Sequence, residues 1–296
     1  MRIHFMNCIS TCPLGGALMD GRSGAALRGR LTCTCLLVET PEHLVLVDTG
    51  FGTRDVADPY SRLSKFFLFL LSPDFREDYT AVRQIERLGY DPRDVRHIVL
   101  SHLDFDHAGG LDDFPQATVH MLAAEKSYAE ERPTLLDRMR FRPQQWEATR
   151  RNWRTYGKGR GERWLGFEDV CSLEGLPPEI LLVPLIGHTY GHAGVAIRRQ
   201  KGWLLYAADA YFYHSEMDAA QPRCTPGLRF YQWMMQKDAR LRRANQERLR
   251  EVKLGSGIEL FCAHDLHEFE YFARKPAVER RTVRRETSWR NRLLAS

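Results

Sequence analysis

Apolar runs alternate with amphipathic stretches along the chain, and this alternation predicts strands interleaved with helices. Residues 1–6 predict a first strand, and TCTCLLVET and HLVLVDTG predict a strand pair that is joined around Pro41 and Glu42. Further apolar runs predict strands at RHIVLSH, ATVHML, EILLVPLIGH, AGVAIRRQ, GWLLYAADA and GIELFCAH. Such an alternation is typical of an α/β fold.

Helical spacing predicts helices over residues 78–88, 123–131 and 229–254, the last of them long and polar. In the first of these, Ala81, Ile85 and Leu88 share one face. Residues 132–178 are rich in Arg, Trp and Gly and have weak periodicity, which predicts an inserted helical or loop segment.

The sequence contains no low-complexity linker, so we predict a single domain over residues 1–270. Insertions are expected near 55–77 and 132–178, and a basic C-terminal tail over 271–296. This tail has eight Lys/Arg and two Glu, so its local charge of about +6 accounts for the whole net charge of +5. The tail is interpreted as a solvated segment, with docking on nucleic acid or an anionic surface as the alternative.

The longest apolar run, Phe66 to Leu71, is far shorter than the ~20 residues of a membrane span, and no secretory signal is evident. Seven cysteines, an odd number, indicate a reducing compartment, and we expect a cytoplasmic protein. Cys8, Cys12, Cys33 and Cys35 are interpreted as small buried hydrophobic residues, with a structural zinc site as the alternative.

Four apolar runs lead directly into residues that commonly bind metals: His102, His188, Asp209 and His264. Strands that end at the same edge of a sheet bring such side chains together, and binding sites of α/β proteins form there. The first run continues as HLDFDH, residues 102–107, which adds further ligand-type residues within one short loop.

The order HxDxDH, GH, D and H resembles the metallo-β-lactamase superfamily, whose usual signature is HxHxDH. The stretches LVLVDTG, HAGGLDDFP and IGHTYGHAG also resemble elements of that family, and the resemblance extends over about residues 30–265. It implies an αβ/βα sandwich of two mixed sheets flanked by helices, with a dinuclear metal site at one edge. The layout is most similar to that of the quorum-quenching lactonase branch.

The resemblance implies a role for each ligand-type residue. Asp209 would bridge two metal ions, and Asp106 would also orient a bridging hydroxide and pass its proton to the leaving group. Asp48 and His192 would support the ligands without binding a metal themselves. The first ion would be bound by His102, Asp104 and His188, and the second by Asp106, His107 and His264.

Asp104 stands where hydrolytic members of the family usually have histidine. Counting ligand charges alone, the extra carboxylate makes the metal cluster neutral and shifts its preference from zinc towards manganese or iron. We therefore expect two divalent metal ions, zinc according to the family, with manganese or iron as the alternative that Asp104 favours.

The expected function is a dinuclear metal-dependent hydrolase that uses a metal-bridging hydroxide on a small ester or lactone. The alternatives are a phosphodiester or nucleic-acid hydrolase, suggested by the basic tail, and an iron-dependent enzyme acting on oxygen or sulfur compounds, suggested by Asp104. The tail alone is weak support for a nucleic-acid partner. The run Phe66 to Leu71 is expected to line an acyl pocket, or else to pack on the core or form a homodimer contact.

Overall fold

The structure is a computed structural model that describes residues 1–255 and 257–274. Its described residues form two six-stranded sheets with helices on their outer faces, which confirms the predicted sandwich of two mixed sheets. The strands are β1 Arg2–Asn7, β2 Thr34–Glu39, β3 Leu44–Val47, β4 Val95–Val99, β5 Thr118–Leu122, β6 Trp153–Tyr156, β7 Glu162–Trp164, β8 Phe167–Ser172, β9 Ile180–Pro184, β10 Ala193–Arg198, β11 Trp203–Tyr206 and β12 Glu259–Phe261. The α-helices are α1 Ala17–Asp20, α2 Thr53–Ala57, α3 Pro59–Arg62, α4 Lys65–Leu71, α5 Ala81–Arg87, α6 Phe105–Ala108, α7 Ala123–Glu131, α8 Leu135–Arg140, α9 Pro143–Trp146, α10 Pro226–Met235, α11 Ala239–Gly255 and α12 Leu266–Arg274.

The strands of the first sheet follow one another in chain order, from β1 to β6. The β1–β2 and β2–β3 pairs are antiparallel, whereas β3 to β6 pair in parallel. In the second sheet the order runs from β12 to β7, and only β11 and β12 are parallel there among the described strands. The parallel strands β3 to β6 therefore end at one edge of the first sheet, and β11 and β12 end at one edge of the second.

Alternate residues of the central strands face two different apolar layers. Leu36 and Val38 of β2 pack between the sheets, against side chains such as Val195 of β10. Leu37 of the same strand faces outward and packs against the helices, with Ile85 of α5. Both faces are buried, which explains why these strands are nearly continuous apolar runs in the sequence.

The single long helix predicted over residues 229–254 is wrong, because the chain forms α10 and α11 there. The N–H groups of Lys237 and Asp238 both donate to the Gly187 carbonyl, at 2.8 and 3.0 Å, and so leave the helical path. The Asp238 carboxylate then accepts from the Leu241 N–H at 2.8 Å and begins the second helix.

Residues 132–178, predicted as a helical or loop segment, contain α8, α9 and the strands β6, β7 and β8. The strand part of this segment was therefore predicted wrongly. These strands lie at or near the sheet edges. β6 and β7 are short, and all three have only part of their surface buried, as the largely exposed β7 shows. Polar residues on the exposed side remove the apolar signal that identified the central strands.

The run Phe66 to Leu71 lies within α4. Phe67 and Leu71 are buried in an apolar cluster that includes Phe105, whereas Phe66 and Phe69 are 43% and 67% exposed. Part of the predicted packing on the core is thus present in the structure. No helix in the described part of the chain is long and apolar enough to cross a membrane. The predicted basic tail lies outside the described residues from position 275 onward.

Candidate metal centre

The loops that follow four strands deliver their side chains to one edge of the sandwich. His102 follows β4, His188 follows β9, Asp209 follows β11 and His264 follows β12. All four residues are at most 3% exposed. The short helix α6 turns the chain directly after Asp104, because the N–H groups of His107 and Ala108 both donate to its carbonyl at 2.9 Å. The turn therefore directs residues 106 and 107 towards His264, whereas residues 102 and 104 lie beside His188.

The first half-site consists of His102, Asp104 and His188. The Oδ2 atom of Asp104 lies 3.1 Å from Nε2 of His102 and 2.9 Å from Nε2 of His188. Asp209 closes this group, with its Oδ2 atom 3.3 Å from the His188 nitrogen and 3.7 Å from the His102 nitrogen. The ligand atoms of all four residues lie within 4.8 Å of one another.

The second half-site consists of Asp106, His107 and His264, whose ligand atoms also lie within 4.8 Å of one another. The Nε2 atoms of the two histidines are 3.4 Å apart. Asp209 reaches this half-site through Oδ1, at 3.4 Å from His107 Nε2 and 3.1 Å from His264 Nε2. Oδ2 also lies 3.2 Å from His264 Nε2, so Asp209 lies between the two half-sites and contacts both.

Three of the four histidines are oriented by a hydrogen bond on the ring nitrogen that faces away from the centre. Nδ1–H of His107 donates to Asp48 at 2.8 Å, and Nδ1–H of His264 donates to the Thr32 carbonyl at 2.7 Å. Nδ1–H of His102 donates to the Ser101 hydroxyl at 2.8 Å. These bonds leave the Nε2 lone pairs directed at the centre, as metal-binding histidines require.

Asp48 is the main support behind the second half-site. Its fully buried carboxylate accepts from Ser101 N–H and Oγ–H, both at 2.7 Å, and from the Tyr206 hydroxyl at 2.8 Å, besides His107. Burial opposes ionisation of Asp48, but the adjacent His107 holds the pKa of this carboxyl below its usual value. Its backbone φ of 51° is unusual for a residue other than glycine and marks local strain beside the site.

The second half-site fits a divalent ion. Oδ1 of Asp209 is buried and makes no hydrogen bond among the described residues, although it faces two imidazole nitrogens. A buried carboxylate oxygen without a donor is costly unless a cation is bound to it. The 3.1 to 3.4 Å separations between these ligand atoms suit neighbouring ligands of one ion at metal–ligand distances of about 2.1 Å.

Arg140, which the sequence did not single out, enters the first half-site from the end of α8. Its side chain is fully buried, and its Nε and Nη2 atoms donate to the two oxygens of Asp104, the second at 2.8 Å. Nη2 also lies 2.7 Å from Nε2 of His188, and Nη1 donates to the Met235 carbonyl at 2.6 Å. The structure brings the donors of the first half-site together, but they share their space with a guanidinium.

The surroundings shift the pKa values of Asp104 and Asp106 in opposite directions. Burial opposes ionisation of Asp104, yet Arg140, aided by His102, holds the pKa of this carboxyl well below its usual value. Burial and Arg140 lower the pKa of His188 to about 3. In contrast, burial raises the pKa of Asp106 and outweighs the adjacent His107 and His264, which lower it. Asp106 is therefore the carboxyl of this group that takes up a proton most readily.

His192 lies beside the centre, but both of its ring nitrogens are engaged elsewhere. Nδ1–H donates to the Leu185 carbonyl at 2.9 Å, and Nε2 accepts from the backbone N–H of Asp209 at 3.0 Å. It thus positions the backbone of the residue between the half-sites. Six other histidines lie outside both ligand groups: His4, His43, His97, His120, His214 and His267.

A second residue that the sequence did not single out is Glu125, at the start of α7. Its carboxylate, 1% exposed, accepts from the Leu103 N–H at 2.8 Å, the Gly191 N–H at 3.2 Å and the Thr189 hydroxyl. Leu103 follows His102, and Thr189 follows His188. Glu125 therefore joins the two loops that carry the histidines of the first half-site.

Aromatic side chains border the centre on the side of α10. Phe212 stacks on the His264 ring with centroids 5.1 Å apart and lies 5.7 Å from the His188 ring. Tyr231 packs edge-on against Phe212, and burial, with Asp106, Asp104 and Asp209, raises the pKa of its phenol well above the usual value. A narrow cleft reaches His264 between Arg30, Leu31, Phe212 and Leu228.

Residues 28–248 match the family model of the metallo-beta-lactamase superfamily. The chain is 39% identical over 267 residues to proteins named "probable metallo-hydrolase" in Mycobacterium bovis and Mycobacterium tuberculosis, covering 90% of this chain and 80% of each relative. It is 26% identical over 235 residues to an N-acyl homoserine lactonase of Bacillus cereus, covering 79% of this chain and 81% of that protein.

Solved structures with a similar fold include an N-acyl homoserine lactone hydrolase with N-hexanoyl-L-homoserine bound at its catalytic metal centre. The TM-score is 0.67 at 23% identity, over 91% of this chain and 95% of that chain. The dizinc quorum-quenching lactonase AidC gives a TM-score of 0.60 at 16% identity, over 89% of this chain and 87% of that chain. At these identities the similarity establishes the fold.

Proposed function

Because this chain belongs to the metallo-beta-lactamase superfamily and is a metal-dependent hydrolase, we propose that it hydrolyses a lactone or a small ester with an apolar acyl group. The observation that carries this proposal is the second half-site, a buried set of ligands with an unpaired carboxylate oxygen beside a narrow cleft. The lactonase named among the sequence relatives supports the substrate class.

Asp106, His107 and His264, with Asp209, would hold a divalent ion in the second half-site. An ion bound there would polarise the substrate carbonyl and lower the pKa of a water molecule that it binds. Two imidazoles and two carboxylates suit zinc, manganese or iron, and zinc is expected from the family. The expectation of two ions with Asp209 between them stays a prediction, and the identity of the metal is part of this proposal.

Asp106 is proposed to move the proton. Its raised pKa distinguishes it from Asp104 and Asp209, whose carboxyls have pKa values well below the usual range. A carboxyl with a raised pKa holds a proton more readily than its neighbours, so it can accept one from the attacking water and return it to the leaving alkoxide. Asp104 and Asp209 remain ionised and are suited to binding cations.

The surroundings of the centre suit an ester with a hydrocarbon chain. Phe212 covers His264 and His188 on one side and excludes water from them. Leu31 and Leu228 continue this apolar wall along the cleft, and Arg30 supplies a positive charge at the same place. Asp20 and Asp265 also line this cleft, so an acyl chain is proposed to lie against Phe212 and the leucines rather than along the charged side.

The test is turnover by the purified full-length chain after loading with zinc, manganese or iron. The substrates are N-acyl lactones of increasing acyl length, aryl esters, thioesters and a phosphodiester. We expect the highest kcat/KM with a lactone or ester, loss of turnover on chelation and recovery when metal is returned. Asp106→Asn should lower kcat at least about 100-fold when its metal content is restored.

Asp113→Asn is the matched control. Asp113 is a partly buried carboxylate close to Asp106 in sequence, but it bonds Thr53 and belongs to neither half-site. It should retain the activity of the unmodified chain. Fastest turnover of the phosphodiester, or ester hydrolysis that survives removal of all metal, would contradict the proposal.

A further inference from the structure

The first half-site already contains a fixed cation, the guanidinium of Arg140. Two bonds join it to Asp104 and a third to the Met235 carbonyl, and the side chain is fully buried. Met235 ends α10 and Arg140 ends α8, so two helices fix the guanidinium in place. An arginine paired with both oxygens of a carboxylate and also bonded to a carbonyl is built into the fold.

His188 shows what this cation does to the half-site. A guanidinium can only donate, so the Arg140 N–H that points at His188 Nε2, at 2.7 Å, uses the single lone pair of that nitrogen. The ring proton must then be on Nδ1, which is buried and has no partner among the described residues. A metal ion that bound to His188 Nε2 would have to displace Arg140 from it.

The second half-site differs in each of these respects. The Nδ1–H groups of His107 and His264 both have acceptors, and their Nε2 atoms face each other and the carboxylates of Asp106 and Asp209, with no arginine donor directed at them among the described residues. The free oxygen of Asp209 is turned to these nitrogens. No lysine or arginine in the described ranges forms an ion pair with Asp106 or Asp209, whose ion-pair partners there are histidines. The two half-sites are therefore built for different cations.

We infer that Arg140 takes the place of a metal ion in the first half-site. On this inference, which rests on the proposed metal-dependent function, the chain binds one divalent ion tightly in the second half-site. A second ion binds at least about tenfold more weakly, because it must displace the guanidinium from His188 and overcome its positive charge. Arg140 is thus a residue that sets how many ions the site holds.

The first experiment uses the unmodified full-length chain. Metal-free protein is titrated with Co²⁺ against a chelator of known affinity, and the bound ions are counted by absorbance and by elemental analysis. We expect one tight ion per chain, followed by a second with a dissociation constant at least about tenfold higher. Two ions of equal affinity would overturn the inference without reference to any variant.

Variants then assign the ions. Arg140→Met keeps the apolar stem but removes the cation, and should bind two ions per chain at a chelator concentration that leaves one on the unmodified protein. His264→Ala should lose the tight ion, whereas His188→Ala should keep it. Arg62→Met is the matched control, because Arg62 is also buried and bonded to a carboxylate and a carbonyl, those of Asp55 and Gln144. It should still bind one ion.

Far-UV circular dichroism identifies any variant that fails to fold. In that case the titration of the unmodified chain alone tests whether the first ion binds more tightly than the second. Folded Arg140→Met that still binds one ion would overturn the inference, as would loss of the tight ion in His188→Ala. The count needs no substrate: a chain that binds one ion but hydrolyses no ester contradicts the proposed substrate and leaves the inference standing. A chain that binds no ion contradicts both.

Discussion

Replacing Asp48 by asparagine tests whether the support behind the second half-site determines both stability and metal affinity. Asparagine has the same shape but only one oxygen, whereas the Asp48 carboxylate accepts four hydrogen bonds. Three of them go to Oδ2, and the fourth, from Ser101 N–H, goes to Oδ1. The amide orientation that keeps most of these bonds puts its oxygen at the Oδ2 position, and the amide NH₂ group then faces the Ser101 N–H.

The cost follows from these contacts. One buried donor loses its acceptor, which costs about 1–3 kcal/mol, and three bonds to a charged acceptor become neutral, at about 1 kcal/mol each. Together they predict a loss of about 4–6 kcal/mol in the free energy of unfolding. The folded pKa of Asp48 is lowered, so its contribution is complete at pH 7 and is lost as the pH falls towards that pKa. Metal affinity should fall about 10–100-fold, because His107 loses the charged acceptor that orients it.

Urea unfolding of the metal-free protein at pH 7 measures the loss in the free energy of unfolding, and a zinc competition titration measures the loss in metal affinity. Asp113→Asn again serves as the control, since Asp113 bonds Thr53 and no histidine. It should leave zinc affinity unchanged. A loss below about 1 kcal/mol in Asp48→Asn, together with zinc affinity within about twofold of the unmodified chain, would refute the reasoning.

Three further predictions concern residues around the centre. Tyr231→Phe should lower kcat about tenfold with unchanged metal content, because the phenol, whose pKa is raised by burial and by the charge of Asp106, stays protonated and is proposed to donate a hydrogen bond to the oxyanion of the substrate; equal steady-state kinetics would exclude this role. His120 has its pKa lowered to about 3 by burial and by His97, so the unfolded chain takes up its proton first and stability falls below about pH 6.5, by about 2 kcal/mol at pH 5. In His120→Gln, the free energy of unfolding measured with urea should decline less between pH 7 and pH 5. A decline as steep as that of the unmodified chain would contradict this prediction. Glu125→Leu should cost at least about 3 kcal/mol in urea unfolding and should weaken metal binding, because three buried donors lose their acceptor; a stability equal to that of the unmodified chain would count against it.

The central strands were predictable because both of their faces are buried. A strand such as β3 is apolar at every position, and the run HLVLVDTG contains it. The helix over 123–131 was predicted with the bounds that the structure gives it. The edge strand β7 was not predictable, because it has three residues and little burial, so neither length nor periodicity identified it.

The ligand-type residues were predictable for a related reason, since each follows a strand or lies in the dense loop after β4. The groups that contact them were not. Glu125 lies on a helix in a polar stretch, and Arg140 is one of several arginines in DRMRFRPQQ, 36 positions after its partner Asp104. Nothing local distinguishes a buried arginine from the exposed ones around it, because the difference arises only when α8 packs beside the loop after β4.

Arg140 also changes the interpretation of Asp104. Counting only the ligands, aspartate at this position makes a two-ion cluster neutral, and replacing it by histidine should restore positive charge. In the structure the Asp104 charge is already balanced by Arg140, so Asp104→His alone would leave a buried guanidinium beside two imidazoles and should weaken cation binding at the first half-site.

Only the double variant Asp104→His with Arg140→Met restores three histidines and Asp209 to a half-site without a competing cation. The two changes should therefore be strongly non-additive. In a double-mutant cycle the affinity for the second Co²⁺ ion should fall or stay unchanged in Asp104→His and rise in Arg140→Met. In the double variant it should exceed the product of the single effects at least tenfold, about 1.4 kcal/mol of coupling. Additive effects would mean that Asp104 and Arg140 act on the metal independently, and that aspartate in the motif alone determines the properties of the first half-site.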